Sequence, residues 1–292
     1  MTDQAASLRV IRGDRRDPLS PAPRRERAIA ITGGKGGVGK STIAVGLATA
    51  YARAGARTLM VDADFGMADL NLLLGVAPSR SLLDALDGTP VDDVVVSAHG
   101  IALLPALNGS YALAMMDGAA RRRTLELVEA LAGRFDTVVL DVAAGIGASQ
   151  ATFAAAASDA VVVVNPEPLS MADAYACLKV LATHHRVEHA FVVPNRVSGQ
   201  AQADDIVGRL SDLVARFLDL RLTPLPPVPA DPAVSEAAHL GVPLLCHRPD
   251  APAARGIARV ARALDAIAPP DARADAARGF WRRHLAVAGE MP

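Results

Sequence analysis

Short runs of apolar residues alternate with longer amphipathic stretches from about residue 28 to residue 268. The apolar runs are four to six residues long and rich in Val, Ile and Leu, so they predict strands. The stretches between them carry apolar residues at helical spacing and predict helices. The predicted strands are 28–32, 58–62, 101–104, 137–141, 160–165, 190–194 and a short one near 220–225. The predicted helices include 41–54, 121–132, 170–184 and 204–217.

Strands that are apolar along their whole length are typical of a parallel sheet with helices on both faces. Their regular alternation with helices therefore predicts an α/β fold, with a doubly wound and mostly parallel sheet flanked by helices. A last helix places Ile257, Val260, Leu264 and Ile267 on one stripe and ends before two prolines. We therefore expect the domain to span residues 28–268.

Composition and charge exclude several classes of protein. Hydrophobic residues make up 51% of the chain but aromatic residues only 3%, which disfavours a β-sandwich or barrel. The formal net charge of -1 provides no general basic field, so we expect no direct nucleic-acid binding. Two distant cysteines, Cys177 and Cys246, indicate neither a disulfide framework nor a cysteine metal site. No signal region or membrane span is recognisable, so a cytoplasmic location is expected.

The two ends of the chain differ from this central part. Residues 1–11 can form only a turn or two of helix, and residues 12–27 contain six arginines and three prolines, typical of an extended linker. In the tail, 269–292, the residues Phe280, Trp281 and Leu285 share one helical face beside several basic residues. The tail can therefore lie as an amphipathic helix on the inner face of the cell membrane, although a solvated or domain-packed tail is an equal alternative.

The clearest chemical motif is GKGGVGKS at residues 34–41, which matches GxxxxGK[ST] between a predicted strand and a predicted helix. Its glycines allow backbone N–H groups to turn towards phosphate oxygens. Lys40 is expected to bridge the β- and γ-phosphates, and the Ser41 hydroxyl to bind Mg²⁺. The predicted nucleotide-binding residues of this loop are Gly34, Lys35, Gly36, Gly37, Val38, Gly39, Lys40, Ser41 and Thr42.

Asp62 and Asp141 end predicted strands and Asp64 follows one, and carboxylates at the carboxyl ends of parallel strands face the ligand crevice. We expect Asp62 and Asp141 to act at the metal and Asp64 to act on the attacking water, although each taken alone also fits a loop cap. Guanine-specific P-loop proteins carry NKxD, whereas PNRVS at 194–198 keeps Asn195 without the lysine or the aspartate. The site is therefore expected to bind adenine rather than guanine, and hence ATP. Alternatively, Asn195 only caps the end of a strand.

Lys35 adds a second lysine to the loop, giving KGGVGKST. In this respect the sequence resembles the deviant Walker A class, the MinD/ParA group of P-loop ATPases. The resemblance implies an ATP-dependent homodimer, in which Lys35 reaches the partner's nucleotide and acts in catalysis with Lys40 and Asp64. It also implies that Asn195, Pro229 and Asp231 lie at the adenine. An ordinary solvated loop lysine remains the alternative for Lys35.

Three further segments resemble the flagellar number regulators of this group, called FlhG or FleN. They are DVAAGIG at 141–147, PEPLSMADAY at 166–175 and DQAASLR at 3–9. The last is similar to the DQAxxLR peptide that activates an FlhF-type GTPase. The resemblance implies that Gln4 reaches the GTP site of that partner and Leu8 anchors the peptide. The implied partner-binding residues are Asp3, Gln4, Ala5, Leu8 and Arg9.

The resemblance implies an ATP-controlled switch with Mg²⁺-dependent hydrolysis that sets the number or placement of flagella. Its partners would be the FlhF-type GTPase, flagellar switch or basal-body proteins and a flagellar transcription regulator. Val142 stands where the family commonly has threonine, and Asp69 and Asn71 are exchanged relative to its common order, which leaves the hydrolysis rate open. Two alternatives are a positioning ATPase for a septum, chromosome or chemoreceptor array, and a metabolic P-loop enzyme such as a ligase.

Overall fold

The computed structural model describes residues 27–106 and 117–267. The strands are β1 (Arg27–Thr32), β2 (Thr58–Ala63), β3 (Val96–Ala98), β4 (Ile101–Leu104), β5 (Thr137–Val142), β6 (Asp159–Val164), β7 (His189–Val197), β8 (Arg221–Pro224) and β9 (Val228–Pro229). The helices are α1 (Lys40–Arg53), α2 (Leu70–Leu73), α3 (Leu82–Leu86), α4 (Gly118–Ala132), α5 (Ala148–Ala155), α6 (Pro168–His185), α7 (Gln200–Phe217), α8 (Ala233–Leu240), α9 (Leu244–His247) and α10 (Pro252–Ile267). All seven predicted strands and the predicted helices are present.

The strands form one sheet in the order β3-β4-β2-β5-β1-β6-β7-β8, and β9 pairs with β7 beyond the end of β8. All pairs are parallel except β3 with β4, a short antiparallel pair at one edge. β1 lies in the middle, between β5 and β6, so the loop that follows it opens at the centre of the carboxyl edge. The order reverses on the two sides of β1, which confirms the doubly wound α/β fold.

The core consists of two apolar layers, one on each face of the sheet. Successive side chains of β1 alternate between them, with Ala28 and Ala30 in one layer and Ile29 and Ile31 in the other. Helices α4, α5, α6 and α7 cover the first face, and α1, α8, α9 and α10 cover the second. Burial on both faces explains why the strands are apolar along their whole length.

The structure corrects several boundaries. β1 begins at Arg27, which the sequence pattern assigned to the linker, and β6 runs from Asp159 to Val164 instead of 160–165. The pattern missed the short elements β3, β9, α2, α3, α8 and α9, as well as α5. Helix α5 has only 8 residues, which is too short a segment for helical periodicity to be detected.

Several expectations concern residues outside the described ranges. These are the peptide 1–11 with Asp3, Gln4, Ala5, Leu8 and Arg9, the linker up to residue 26, and the tail 269–292 with Phe280, Trp281 and Leu285. Across the described ranges, none of the helices has both the length and the apolar character needed to span a membrane.

Candidate nucleotide-binding site

The loop between β1 and α1 depends on its glycines. Gly37 and Gly39 have φ values of 77° and 95°, in the left-handed region that disfavours residues with a side chain. A Cβ on Gly39 would lie 2.3 Å from Nδ2 of Asn195, and a Cβ on Gly34 would lie 2.1 Å from the Asp173 carbonyl oxygen. At Gly36, by contrast, no atom lies within 4 Å of the added Cβ. The loop is therefore packed tightly against β7 and α6 but stays open at Gly36.

Lys40 starts α1 at the end of this loop and is buried. Burial lowers the pKa of its ammonium, and the carboxylates of Asp141 and Asp64 oppose that shift. Its Nζ donates a long hydrogen bond of 3.4 Å to the Lys35 carbonyl oxygen. A buried cation beside a helix N-terminus favours an anion, so the loop has the charge and the shape to receive phosphate.

Asp62 and Asp141 face each other across neighbouring strands, since they are paired in the register of β2 and β5. Both are buried. Burial raises the pKa of Asp141 to about 7, against the opposing effects of a hydrogen bond with Ser41 and the charge of Lys40. Burial, together with the charge of Asp141, raises the pKa of Asp62 well above its usual range. Two buried acids this close favour either a proton or a cation between them.

The donor set fits Mg²⁺ bound together with a nucleotide. Oδ1 of Asp141 is a buried acceptor without a hydrogen-bond partner in the described part of the chain. The Ser41 hydroxyl lies near enough to the same carboxylate to lower its pKa, which brings a hydroxyl to the acids. Residues 27–106 and 117–267 contain no group of three or more His, Cys, Asp and Glu side chains suited to hold a metal on their own. Mg²⁺ would therefore need phosphate oxygens as additional ligands.

Asp64 lies at the start of the loop after β2 and is partly exposed. Its backbone N–H donates to Oδ1 of Asp62 at 3.1 Å, and its own Oδ1 accepts from the backbone N–H of Met67 at 3.1 Å. One carboxylate oxygen thus holds the loop. The structure brings Asp64 to the same edge as Lys40 and Asp141, as predicted from the sequence.

Lys35 forms an ion pair with Glu167, the residue just before α6. This contact lowers the pKa of the Glu167 carboxyl, with smaller contributions from Asn165 and Arg196. Glu167 was not predicted as a site residue, although an acid three residues after the strand β6 was an available signal. The free end of Lys35 therefore has a carboxylate partner within its own chain.

Two neighbouring residues of β7 hold the phosphate loop from outside. Nδ2 of Asn195 donates to the Val38 carbonyl oxygen at 2.8 Å, and Nη1 of Arg196 donates to the Gly37 carbonyl oxygen at 3.1 Å. Asn195 is buried, and its amide therefore lies at the loop rather than at a strand end facing solvent. Arg196 is a second residue that the sequence analysis missed.

Three other residues predicted to bind nucleotide, Asp231, Pro229 and Thr42, contact or lie near helices on the face that carries α1. Both carboxylate oxygens of Asp231 accept backbone N–H groups, from Ala233 at 2.9 Å and Ala253 at 3.0 Å, so this side chain joins the starts of α8 and α10. Pro229 packs near Gly256 of α10. Thr42 lines a cleft shared with α2 and α8.

Val142 is fully buried in the apolar layer on the face opposite α1. Its side chain therefore points away from the face that carries Lys40 and Ser41.

Comparison with known proteins agrees with this geometry. The model of the CobQ/CobB/MinD/ParA nucleotide binding domain matches residues 29–244. The chain is 34% identical to the antiactivator FleN of Pseudomonas aeruginosa over 213 residues, 72% of this chain and 76% of FleN. It is also 34% identical to the flagellum site-determining protein YlxH of Helicobacter pylori over 172 residues, 58% of each chain.

A solved structure extends the comparison to the fold. The septum site-determining protein MinD from Pyrococcus horikoshii, complexed with Mg-ADP, is 25% identical and superposes with a TM-score of 0.69. The match covers 82% of this chain and 96% of that one. The matched range includes the phosphate loop, Asp62, Asp64, Asp141 and Asn195. The chain therefore belongs to the CobQ/CobB/MinD/ParA family of nucleotide-binding proteins.

Proposed function

We propose that this protein is an ATP-dependent, dimerising switch that hydrolyses ATP with Mg²⁺ and regulates the number or placement of flagella. The observation that carries the proposal is Lys35, a second lysine of the loop whose backbone carbonyl accepts a hydrogen bond from Lys40 and whose partly exposed side chain pairs with Glu167. A loop that only bound nucleotide would need Lys40 alone. The added lysine gives the site a group that is available to a second protomer.

In the proposed reaction, the backbone N–H groups of the loop, the start of α1 and Lys40 bind and orient the phosphates of ATP. Asp64 holds the attacking water through its carboxylate and accepts hydrogen bonds from it. Ser41, Asp62 and Asp141 would hold Mg²⁺, which supplies positive charge at the phosphate oxygens. Adenine would lie near Asn195, Pro229 and Asp231, with the Asn195 amide fixed by the loop itself.

Lys35 must change partner for the proposed dimeric reaction. Within one chain it pairs with Glu167, and both side chains are substantially exposed, so solvent screens this ion pair and makes it easy to break. A triphosphate across the dimer interface offers Lys35 a stronger, more highly charged partner. The Glu167 contact would thus occupy Lys35 until a second, ATP-loaded protomer arrives.

The flagellar assignment is supported by the relatives and by one segment outside the described ranges. One relative is named a flagellum site-determining protein, and DQAASLR at residues 3–9 resembles an FlhF-activating peptide. We propose an FlhF-type GTPase as partner through Asp3, Gln4, Ala5, Leu8 and Arg9. Further proposed partners are flagellar switch or basal-body proteins, a flagellar transcription regulator and, through Phe280, Trp281 and Leu285, the inner membrane surface from the cytoplasmic side.

A second candidate is a positioning ATPase for another cargo, such as a septum, chromosome or chemoreceptor array. The similarity to MinD favours it, because that similarity extends over 82% of this chain. The two candidates share the ATP switch and differ only in what the switch controls.

The ATP switch is tested by measuring ATP turnover per protomer across a range of protein concentrations. Wild-type turnover should rise with concentration, since hydrolysis depends on a dimer. Lys35→Ala should lose this rise while still binding ATP, and Lys40→Ala should lose binding itself. A Lys35→Ala protein that hydrolyses ATP like the wild type would overturn the role of Lys35.

The flagellar part has a separate test. GTP turnover by the FlhF-type protein of the same organism is measured with and without a synthetic peptide of residues 1–12, beside a Gln4→Ala peptide. Stimulation that requires Gln4 supports the flagellar assignment. No stimulation at saturating peptide would favour the second candidate.

A further inference from the structure

The end of β7 has an irregular backbone. The register of β9 against β7 shifts between Asn195 and Val197, which is a bulge at Arg196. Arg196 has a φ of 59°, in the left-handed region that residues with a side chain rarely adopt. Such bulges change the direction of a side chain and are common beside functional sites. This bulge brings the exposed Arg196 guanidinium to the phosphate loop, where it donates to the Gly37 carbonyl oxygen at 3.1 Å.

Arg196 and Asn195 together orient two successive peptide groups of the loop. In a trans peptide, the C=O of one residue and the N–H of the next point in opposite directions. The Gly37 carbonyl points to Arg196 of β7, so the Val38 N–H of the same peptide group points away from β7. In the next peptide group, the Val38 carbonyl points to Asn195, so the Gly39 N–H also points away from β7. Neither N–H donates to a backbone carbonyl among residues 27–106 and 117–267. Both groups are therefore available to an anion.

We propose that Arg196 is a positioning residue for phosphate binding, which fixes the Gly37–Val38 peptide so that the Val38 N–H faces the phosphates. The inference rests on the proposed binding of a nucleoside triphosphate at this loop. The left-handed backbone has a conformational cost at arginine, and the hydrogen bond to the loop offsets it.

The chain supplies a matched control for the backbone. Arg186, at the end of α6, is also exposed and left-handed, with φ 52° and ψ 37°. Asparagine tolerates this conformation better than arginine does, so Arg196→Asn and Arg186→Asn should both keep or raise the melting temperature. Only Arg196→Asn removes a donor to the phosphate loop.

The test measures dissociation constants for Mg-ATP and for inorganic tripolyphosphate, at low and at high salt, in the full-length chain. Arg196→Asn should weaken both ligands about tenfold, the effect of losing one charge-assisted hydrogen bond. Arg186→Asn should bind both as the wild type does. Because the role of Arg196 is to orient a peptide group, the tenfold loss should be the same at both salt concentrations.

The outcomes separate this inference from the function it rests on. If the wild type binds both ligands and Arg196→Asn binds them equally well, Arg196 has no positioning role. A loss that disappears at high salt would also overturn positioning, because it would indicate only a screened charge effect. If the wild type binds neither ligand, the proposed function itself fails, and this inference fails with it.

Discussion

The central strand β1 has buried charges at both ends, but the two clusters are organised in opposite ways. At its amino end, Nε of Arg27 lies 2.9 Å from Oδ2 of Asp159, and Nη1 lies 2.9 Å from Oδ1 of Asp265. Beyond its carboxyl end, Asp62 and Asp141 face each other with raised pKa values, and Lys40 is buried beside them with a lowered pKa. The first cluster pairs one cation with two carboxylates, although Nη2 of Arg27 has no hydrogen-bond partner in the described ranges. The second holds two acids side by side and leaves Oδ1 of Asp141 without a hydrogen-bond partner there.

The difference separates a stabilising cluster from a functional one. Arg27 joins β1 to β6 and α10, and the hydroxyl of Tyr51 in α1 donates to Oδ1 of Asp265 at 3.2 Å, so four elements meet there. The Arg27 cation and the carboxylates of Asp159 and Asp265 are therefore paired with one another within the protein. At the carboxyl edge, by contrast, two buried acids lie side by side with raised pKa values, and perturbed acids of this kind are common in binding sites.

Breaking the amino-end cluster should give the largest effect on stability. Arg27→Met leaves the carboxylate of Asp159, which is 1% exposed, buried and without its cation. We expect the free energy of unfolding to fall by about 3 kcal/mol, measured by urea denaturation at neutral pH.

The control for this change removes the stranded charge as well. In Arg27→Met combined with Asp159→Asn, most of the lost stability should return, because a neutral amide can still bond with Ser158. If the double variant were as unstable as Arg27→Met alone, packing of the arginine stem rather than charge would explain the loss.

Removing a charge from the carboxyl-edge cluster should raise the free energy of unfolding instead of lowering it. Asp141→Asn should stabilise the metal-free, nucleotide-free protein by about 2 kcal/mol near pH 8, since burial disfavours the ionised carboxylate more than Ser41 and Lys40 stabilise it. The same change should abolish Mg²⁺-dependent ATP turnover. Thermal unfolding in the presence of EDTA measures the first effect.

The pH dependence follows from the raised pKa of Asp141, which is about 7 in the folded chain. Between pH 4 and pH 7 the folded chain keeps a proton that the unfolded chain has lost, so this group contributes less stability as the pH rises. The stabilising effect of Asp141→Asn should therefore grow across that range. An effect that stays constant with pH would mean that Asp141 does not titrate there.

The sequence could predict features with a local signal and could not predict contacts between distant residues. The phosphate loop and the strands were predictable because their signals are local, a glycine-rich motif and continuous apolar runs. The contacts of Glu167 with Lys35 and of Arg196 with Gly37 join residues 132 and 159 positions apart, and no spacing rule indicates them. The start of β1 at Arg27 was missed for the same reason. A charged residue beside a charged segment was assigned to the linker, because its partners Asp159 and Asp265 are distant in sequence.

The smallest predicted effect compares two glycines of the loop. In Gly34→Ala the new Cβ would lie 2.1 Å from the Asp173 carbonyl oxygen, so α6 and the loop must separate, and we expect a loss of about 1 kcal/mol in unfolding free energy. In Gly36→Ala no atom lies within 4 Å of the Cβ, so stability should be unchanged. ATP affinity should nevertheless fall in Gly36→Ala if phosphate occupies that open space. Equal thermal stability of the two variants would show that α6 does not constrain the loop.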